Sequence, residues 1–284
     1  NARLSYKEIV SYGTPRRLTL WVQELEEKQP DALLEIRGPK KSIAFDQEGN
    51  PTKAGLGFAR SQKVDFNNLE IREVGGVEYI FVIKKEKGNA STVILPNVLL
   101  DIINSLTFPK SMRWGYYHTR FARPIRWLLA MLGSEKINIA VENVESNNVT
   151  YGHRFLSSGA LPVNNAAHYF QILRENYVIL DQEERKELIR KQVLDVAAAA
   201  GGRPMENEDL LEEITYLLEY PTAFYGSFSP SYLEVPPEVL TTSMIEHQRY
   251  FPVFDNHGQL MPGFIGVRKD RKSTRLNSRH RTVS

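Results

Sequence analysis

The stretch KSMRWGYYHTRFARPIRW, residues 110–127, gathers the side chains of this sequence that are best suited to chemistry on a polyanion. Lys110, Arg113, Arg120, Arg123 and Arg126 are interleaved with Trp114, Tyr116, Tyr117, Phe121 and Trp127, and no acidic residue interrupts them. A guanidinium pairs bidentately with phosphate oxygens, and an aromatic or guanidinium plane stacks on an unpaired base, so the composition suits an RNA surface. The same residue types also build ordinary cores and interface rims, with the aromatics inside and the arginines reaching carboxylates elsewhere. Composition alone leaves both readings open.

Three shorter groups carry weaker signals. Thr14-Pro15-Arg16-Arg17 sets two guanidinium groups at the start of a strand, either as an anion contact or as surface arginines of no consequence. Gly152-His153-Arg154-Phe155 falls in an expected strand, and His247-Gln248-Arg249-Tyr250 at an expected helix end. Lone histidines of this kind are read as hydrogen-bonded structural residues rather than bases, and a His or Arg closing a helix also complements its dipole.

Other chemistries find no support. There is no G-x-x-x-x-G-K-[ST] phosphate cradle, and Gly55-Leu56-Gly57 lacks both the third glycine and the preceding strand of a dinucleotide fingerprint. Six histidines, at 118, 153, 168, 247, 257 and 280, include no H-x-x-x-H pair, so no metal-ligand cluster is visible. A G-x-S-x-G elbow is absent, and the carboxylate pairs Glu183-Glu184 and Glu212-Glu213 sit on helical patterns where solvated faces account for them. The complete lack of cysteine excludes disulfides, thiolate zinc sites and a cysteine nucleophile together. No catalytic residue and no metal site is therefore assigned.

The elements that must position these residues alternate between strand and helix periods. Leu18, Leu20 and Val22 alternate as in a half-buried strand leaving a proline turn, VEYIFVIKKEKG at 77–88 is rich in strand formers, and Thr52 caps a helix running to Arg60. Apolar residues from Ser91 to Leu106 share one helical face. Gly133-Ser134 splits PIRWLLAMLG from SEKINIAVENV as a hairpin would. Residues 165–176 read as helical, and Asp181 with Glu184 opens a helix that Gly201-Gly202 stops. DLLEEITYLLEYP places Leu210, Leu211, Ile214, Leu217 and Leu218 on one face, and Pro236-Pro237 starts a helix running through Met244 toward His247. YFPVFDNHGQLMPGFIGV makes two strands around Asn256-His257-Gly258. The fold class is α+β, with mixed or antiparallel sheets, packed helices and no regular βαβ cadence. Residues 1–105 form an N-terminal α+β region and 106–270 a second, with the alternative that they make one body.

With 284 residues and 42% hydrophobic content, the chain can bury a sizeable core. Its net charge of +2 is misleading, because residues 271–284 carry five basic residues and no acid, which leaves 31 basic against 34 acidic elsewhere, a net of −3. RKSTRLNSRHRTVS has no apolar periodicity and is expected to be disordered. It reads as a basic RNA arm or as a translated cloning remnant, and the second is favoured because it departs so abruptly from the preceding pattern. No apolar run is long enough to span a bilayer and no signal peptide is visible, so the expectation is cytoplasmic with no membrane contact. The start at Asn1 rather than Met suggests a fragment of something longer.

The order of the motifs adds a resemblance. TPRRL at 14–18, RGPKKSIAFDQEGNPTKAGLGFARSQ at 37–62, MRWGYYHTRFARPIRWLLAMLG at 112–133, YGHRFL at 151–156, DQEERKELIRKQ at 181–192, DLLEEITYLLEYP at 209–221 and VPPEVLTTSMIEHQRYFPVFDNHGQLMPGFIGV at 235–267 follow one another. Together they resemble the N-terminal half of the bacterial glycyl-tRNA synthetase beta subunit. The resemblance implies a heterotetramer of two alpha and two beta subunits that joins glycine to tRNA(Gly). It implies that ATP and Mg belong to the class II site of the partner alpha subunit, and that this chain needs no cofactor of its own and is inactive alone. It implies a body similar to the B3/B4-type domain of the phenylalanyl enzyme's beta chain, serving tRNA binding and subunit assembly. The family's acidic N-terminal stretch and its HD-type and anticodon-binding regions have no counterpart here. The residues carried forward as tRNA-binding candidates are Arg16, Arg17, Lys110, Arg113, Trp114, Arg120, Arg123, Arg126, His153, Arg154, His247 and Arg249. Alternative roles are a hydrolytic editing module, for which glycine's small size makes the need weak, and a pure assembly scaffold.

Overall fold

The computed structural model describes residues 2–268. Strands β1 (Glu8–Thr14) and β2 (Arg17–Gln23) form an antiparallel ribbon closed by Pro15-Arg16, with Thr14 opposite Arg17. Proline fixes φ at the first turn position, and the Thr14 hydroxyl accepts from the Arg16 backbone N–H at 3.3 Å. One ribbon face carries Tyr12, Thr14, Arg17 and Trp21 inward, where Tyr12 and Trp21 set their rings edge-on against Phe170 at 5.1 and 5.0 Å. Leu18 and Leu20, whose alternation marks a half-buried strand, lie on the opposite, exposed face with Ile9. Alternation finds the strand but not which face is covered, and here two aromatics and an ion-paired arginine take the inside.

Residues 1–7 and 24–98 make a smaller unit. Strand β3 (Ala32–Lys40), helices α1 (Lys41–Ala44) and α2 (Lys53–Ser61), and strands β4 (Glu70–Val74) and β5 (Val77–Glu86) build an antiparallel sheet of order β3-β5-β4. Ala44, Ala59, Ile80 and Val82 are its buried centre. Thr52 caps α2 by accepting from the Gly55 N–H. Gly55 sits where a Cβ would meet the Ala44 carbonyl oxygen at 2.6 Å, so this glycine reflects close packing inside a helix rather than a nucleotide loop, whereas Gly57 faces open space. Helix α3 (Ser91–Ser105) contains the division between the units, after Val98. A boundary at 105/106 differs from this grouping, which also assigns residues 8–23 to the larger unit.

The larger unit joins residues 8–23 to those from 99 onward. Three short antiparallel hairpins come first: β6 (Met131–Leu132) with β7 (Glu135–Lys136), β8 (Ala140–Val141) with β9 (Val144–Glu145), and β10 (Val149–Tyr151) with β11 (Ala160–Pro162). Helix α4 (Tyr169–Glu175) and helix α5 (Gln182–Ala199) follow, the latter capped by Asp181, whose carboxylate accepts from the Glu183 and Glu184 N–H groups. Strand β12 (Arg203–Pro204), helix α6 (Glu208–Leu217), strand β13 (Thr222–Ser227), helix α7 (Pro237–Thr242), and strands β14 (Phe251–Phe254) and β15 (Leu260–Arg268) complete the described chain. The last sheet is antiparallel in the order β12-β14-β15-β13.

Ile189, Val193 and Ala197 of α5 pack with Leu210, Leu211 and Ile214 of α6 over Phe251, Val253 and Ile265 of that sheet. Leu218 joins this core, whereas Leu217, expected beside it, is 39% exposed at the last position of the helix. A second cluster gathers Val163, Tyr169, Leu173, Val178 and Leu180 under the ribbon's Tyr12 and Trp21. The helix opened by Pro236-Pro237 widens into a π turn at Ser243–Gln248, closed by Arg249 in the left-handed region at φ 58°. Residues 152–155, expected in a strand, lie beyond the end of β10 in irregular backbone. A Cβ at Gly152 would meet Ser157 and Asn176 within 2.7 Å, and this tertiary crowding overrides the local pattern. The described residues are therefore α+β, with small antiparallel sheets and seven α-helices. Among them no helix is long and apolar enough to cross a membrane. The expectations for residues 271–284 lie outside the described residues.

Candidate nucleic-acid interface

Four segments distant in sequence meet around one carboxylate. Glu219, in the bend between α6 and β13, is 4% exposed. Its Oε1 accepts from the Thr14 hydroxyl at 2.9 Å and from Arg17 Nε at 3.0 Å, and its Oε2 accepts from Arg16 Nη1 at 3.3 Å. Arg17 Nη2 lies 2.9 Å from Oε1 as an ion contact, but is not aligned to donate a hydrogen bond. Arg17 Nη1 donates to the Tyr151 carbonyl at 2.9 Å, and Arg16 Nη1 to the Gly152 carbonyl at 3.0 Å. Both guanidinium carbons stand 5.8 Å from the Trp127 ring centroid, and Trp127 meets Tyr151 edge-on at 5.2 Å. The turn at 14–17, the end of the arginine-aromatic segment, the 151–155 loop and the chain after α6 thus share one polar knot.

Burial separates the two arginines by role. Arg17 is buried and its charge is matched by Glu219, whereas Arg16 keeps over a quarter of its side chain in solvent. Neither is the surface arginine of no consequence that composition allows. Arg123 Nη1 reaches the Pro15 carbonyl at 3.4 Å and lies exposed at the rim.

A second buried cation escapes sequence reasoning. Arg185 of α5 is fully buried and donates to the carbonyls of Thr215, Ile179, Leu180 and Gly13 at 2.7 to 3.1 Å. Burial lowers its pKa. Four backbone acceptors spread over the ribbon, the α4–α5 connection and α6 take the place of a carboxylate. Its only signal in the sequence is position, since Arg185 stands four residues before Ile189 on the stripe continued by Val193 and Ala197.

Outside the knot, the 110–127 segment is irregular and open. Met112 and Phe121 exchange backbone hydrogen bonds at 2.8 and 3.1 Å, closing the loop between them. Arg120 donates to the Ser111 hydroxyl and carbonyl at 3.1 and 3.2 Å. The Glu142 carboxylate accepts from the Thr119 N–H at 2.9 Å and its hydroxyl at 2.5 Å. Those Thr119 bonds hold the Glu142 carboxyl below the usual carboxylate range. Lys110, Arg113, Arg120, Arg123 and Arg126 are all exposed, and among the described residues none of them pairs with a carboxylate. The reading in which these arginines are buried-edge partners of acids elsewhere is thereby corrected.

The model of the family described as glycyl-tRNA synthetase beta subunit matches residues 1–279. The chain belongs to that family. It is 67% identical over 267 residues to the glycine–tRNA ligase beta subunit of Syntrophomonas wolfei subsp. wolfei, covering 94% of this chain and 39% of the relative. It is 51% identical over 265 residues to that of Moorella thermoacetica, covering 93% and 38%. It is 48% identical over 266 residues to that of Clostridioides difficile, again covering 94% and 38%. The chain thus spans under two fifths of the length of these curated relatives.

In this beta-subunit chain the remaining candidates lie apart from one another. His153 is buried in the 151–155 loop, its backbone N–H donating to the Asn176 carbonyl and its Nδ1 accepting from the Phe155 N–H at 3.3 Å. Arg154 is exposed and stands 5.5 Å over the Phe155 ring. Arg249 closes the π turn and pairs with Glu213 at 2.5 Å, while His247 points outward from the same turn. These two take no part in the knot at Glu219. Trp114 is half-buried beside Tyr117, with ring centroids 6.4 Å apart. Among the described residues no three His, Cys, Asp or Glu side chains come together as a metal site would require.

Proposed function

We propose that this chain serves glycyl-tRNA synthesis as the tRNA-handling and assembly part of a glycine–tRNA ligase beta subunit, with residues 110–127 as its RNA-facing surface. The observation that carries this reading is the contrast between two sets of arginines. Arg72, Arg174, Arg190 and Arg249 each pair with a glutamate on the surface. The four arginines of residues 110–127 face solvent without any acid, in a body whose charge is otherwise net negative. An arginine already paired gains little from a phosphate, whereas an unpaired, exposed one exchanges only water and counterions for it.

Glycine activation falls to a partner alpha subunit, where ATP and Mg are bound, and the two kinds of subunit assemble as a cytoplasmic heterotetramer. Membership of the beta-subunit family supports that division, as does the lack of a phosphate-cradling loop in this sequence. Phosphate contacts position an RNA without reading its bases, so these cations act on affinity rather than on sequence choice.

The test is tRNA binding by the synthetase assembled with its alpha subunit, measured across salt concentration. Replacing Arg113, Arg120, Arg123 or Arg126 by alanine is expected to weaken binding and to flatten the log–log salt slope by roughly 0.7 to 0.9 for each phosphate no longer neutralised. Melting temperature stays unchanged. Unaltered affinity and slope in all four variants would remove the RNA surface from this segment.

A further inference from the structure

Tyr116 is the most exposed side chain of the arginine-aromatic segment, fully open to solvent, although tyrosine normally buries its ring. Its position is not the accident of a loose tail. Trp114, Gly115, Tyr116 and Tyr117 make a tight turn, in which the Tyr117 N–H donates to the Trp114 carbonyl at 3.2 Å. Gly115 takes φ +56° at the first central position, a conformation L side chains rarely adopt, so the turn tip is set by the backbone.

The base of the loop is held by the paired backbone bonds between Met112 and Phe121, and Phe121 packs edge-on to Phe108 at 4.7 Å. Its descending arm is held by Arg120 on Ser111 and by Thr119 on the Glu142 carboxylate. Trp114 and Tyr117 turn toward each other below the tip. These bonds hold the backbone that carries the ring, so binding costs little more than the ordering of the two side-chain torsions of Tyr116, which favours recognition through that ring.

We infer that the loop 112–121 is a stacking finger, in which Tyr116 lies against an unpaired base of the bound RNA while Arg113 holds a neighbouring phosphate. The inference rests on the reading of residues 110–127 as the RNA surface and deepens it from a charged patch to a site for a nucleotide out of its stack. Charge selects the partner class. Lys110 and Arg113 flank the loop, both exposed and unpaired, no acid occurs from 110 to 127, and the Glu142 carboxylate that reaches the loop from outside is engaged by Thr119. That environment complements a polyanion and not an apolar protein face. A duplex offers no base face to a side chain, so the ring requires a loop, a bulge or an end of the RNA.

The experiment compares Tyr116→Phe, Tyr116→Leu and Tyr116→Ala with Arg113→Ala in the synthetase assembled with its alpha subunit, using a tRNA(Gly) transcript across salt concentration. Tyr116→Phe is expected to bind as the parent does. Tyr116→Ala is expected to lose roughly 5- to 150-fold in affinity, the range for removing one base–aromatic stack, with the salt slope unchanged. Tyr116→Leu follows alanine, because an aliphatic side chain has no π face. Arg113→Ala is expected to flatten the slope. Full affinity in Tyr116→Ala beside a weakened Arg113→Ala would overturn the stacking finger and leave the charged surface standing. Indifference of both would remove the RNA surface as well. If Tyr116→Ala instead loosens assembly with the alpha subunit while tRNA affinity per assembled enzyme is kept, the finger meets protein and the inference fails.

Discussion

Glu219→Gln is the sharpest perturbation that the architecture offers. The amide is nearly isosteric, so the space around it is unchanged, but the one carboxylate that pairs with Arg16 and Arg17 among the described residues becomes neutral. Arg17 and Glu219 have side chains 3% and 4% exposed, so water cannot take over the missing interaction. Removing one partner of a buried ion pair typically costs about 3 to 5 kcal/mol, because the other charge is left desolvated. Arg16, more than a quarter exposed, can turn to solvent and adds little to that figure. At about 2 to 4 °C per kcal/mol for a body of this size, the melting temperature should fall by roughly 6 to 20 °C.

Thermal unfolding of the full chain, followed by circular dichroism at about 0.1 and about 0.5 M salt, is the assay. A buried pair is little screened, so the loss should persist at the higher salt. Glu208→Gln, which breaks the exposed pair with Arg190, serves as the control and should move the transition only within experimental scatter. In a second arm, Arg17→Met combined with Glu219→Met should recover most of the stability lost in Glu219→Gln, since an apolar replacement removes both desolvated charges at once. A drop below about 3 °C in Glu219→Gln would refute the reasoning, as would a double variant that loses the sum of its singles.

Three further outcomes follow from the geometry. Arg185→Lys, with three donors on a shorter head, should strand at least one of the four carbonyls now satisfied and cost about 1 to 3 kcal/mol for each, read by urea unfolding. Gly55→Ala should destabilise, because its Cβ meets the Ala44 carbonyl oxygen at 2.6 Å. Gly57→Ala, with nothing within 4 Å, should stabilise α2 by roughly 0.5 to 1 kcal/mol, and paired melting curves decide both. The Glu142 carboxyl is depressed from its ordinary 4.5 by the Thr119 bonds, so its anchoring of the finger is complete above that pH and is lost as pH falls through the lowered value. The protection factor of the Thr119 amide, its exchange rate divided into the intrinsic rate at each pH, should therefore fall on acidification below about pH 4.5 in the parent and show no such step in Glu142→Gln.

Local signals account for much of what the sequence discloses. Asp181 as a cap, Gly201 as a stop and the four-residue spacing of Ile189, Val193 and Ala197 define α5 without reference to anything distant. The same holds for the Thr52 cap and for the turn between β14 and β15. The knot at Glu219 is silent by comparison, since Arg17 lies 202 positions from its carboxylate and no local pattern reports such a pairing. The loop at 152–155 reads as strand because it follows directly on the strand formers Val149-Thr150-Tyr151, and the crowding of Gly152 against Ser157 and Asn176 marks where that strand stops. Within 110–127, composition points to the cations. It cannot show that Tyr116 stands clear of the fold while Trp114 turns in.

The ribbon of β1 and β2 also sets a timetable. Arg17 leaves the ribosome long before Glu219, and Trp21 before the Phe170 ring that covers it. At about 5 to 20 residues per second, the 202 residues between the two charges take roughly 10 to 40 s to synthesise. During that interval the ribbon holds an uncompensated guanidinium and bare aromatic rings, and a two-stranded hairpin is marginal in water by itself. Completion of this ribbon is thus timed by the translation of the segment that carries Glu219, and a pause between α4 and Glu219 would lengthen the exposure of an early, sticky edge.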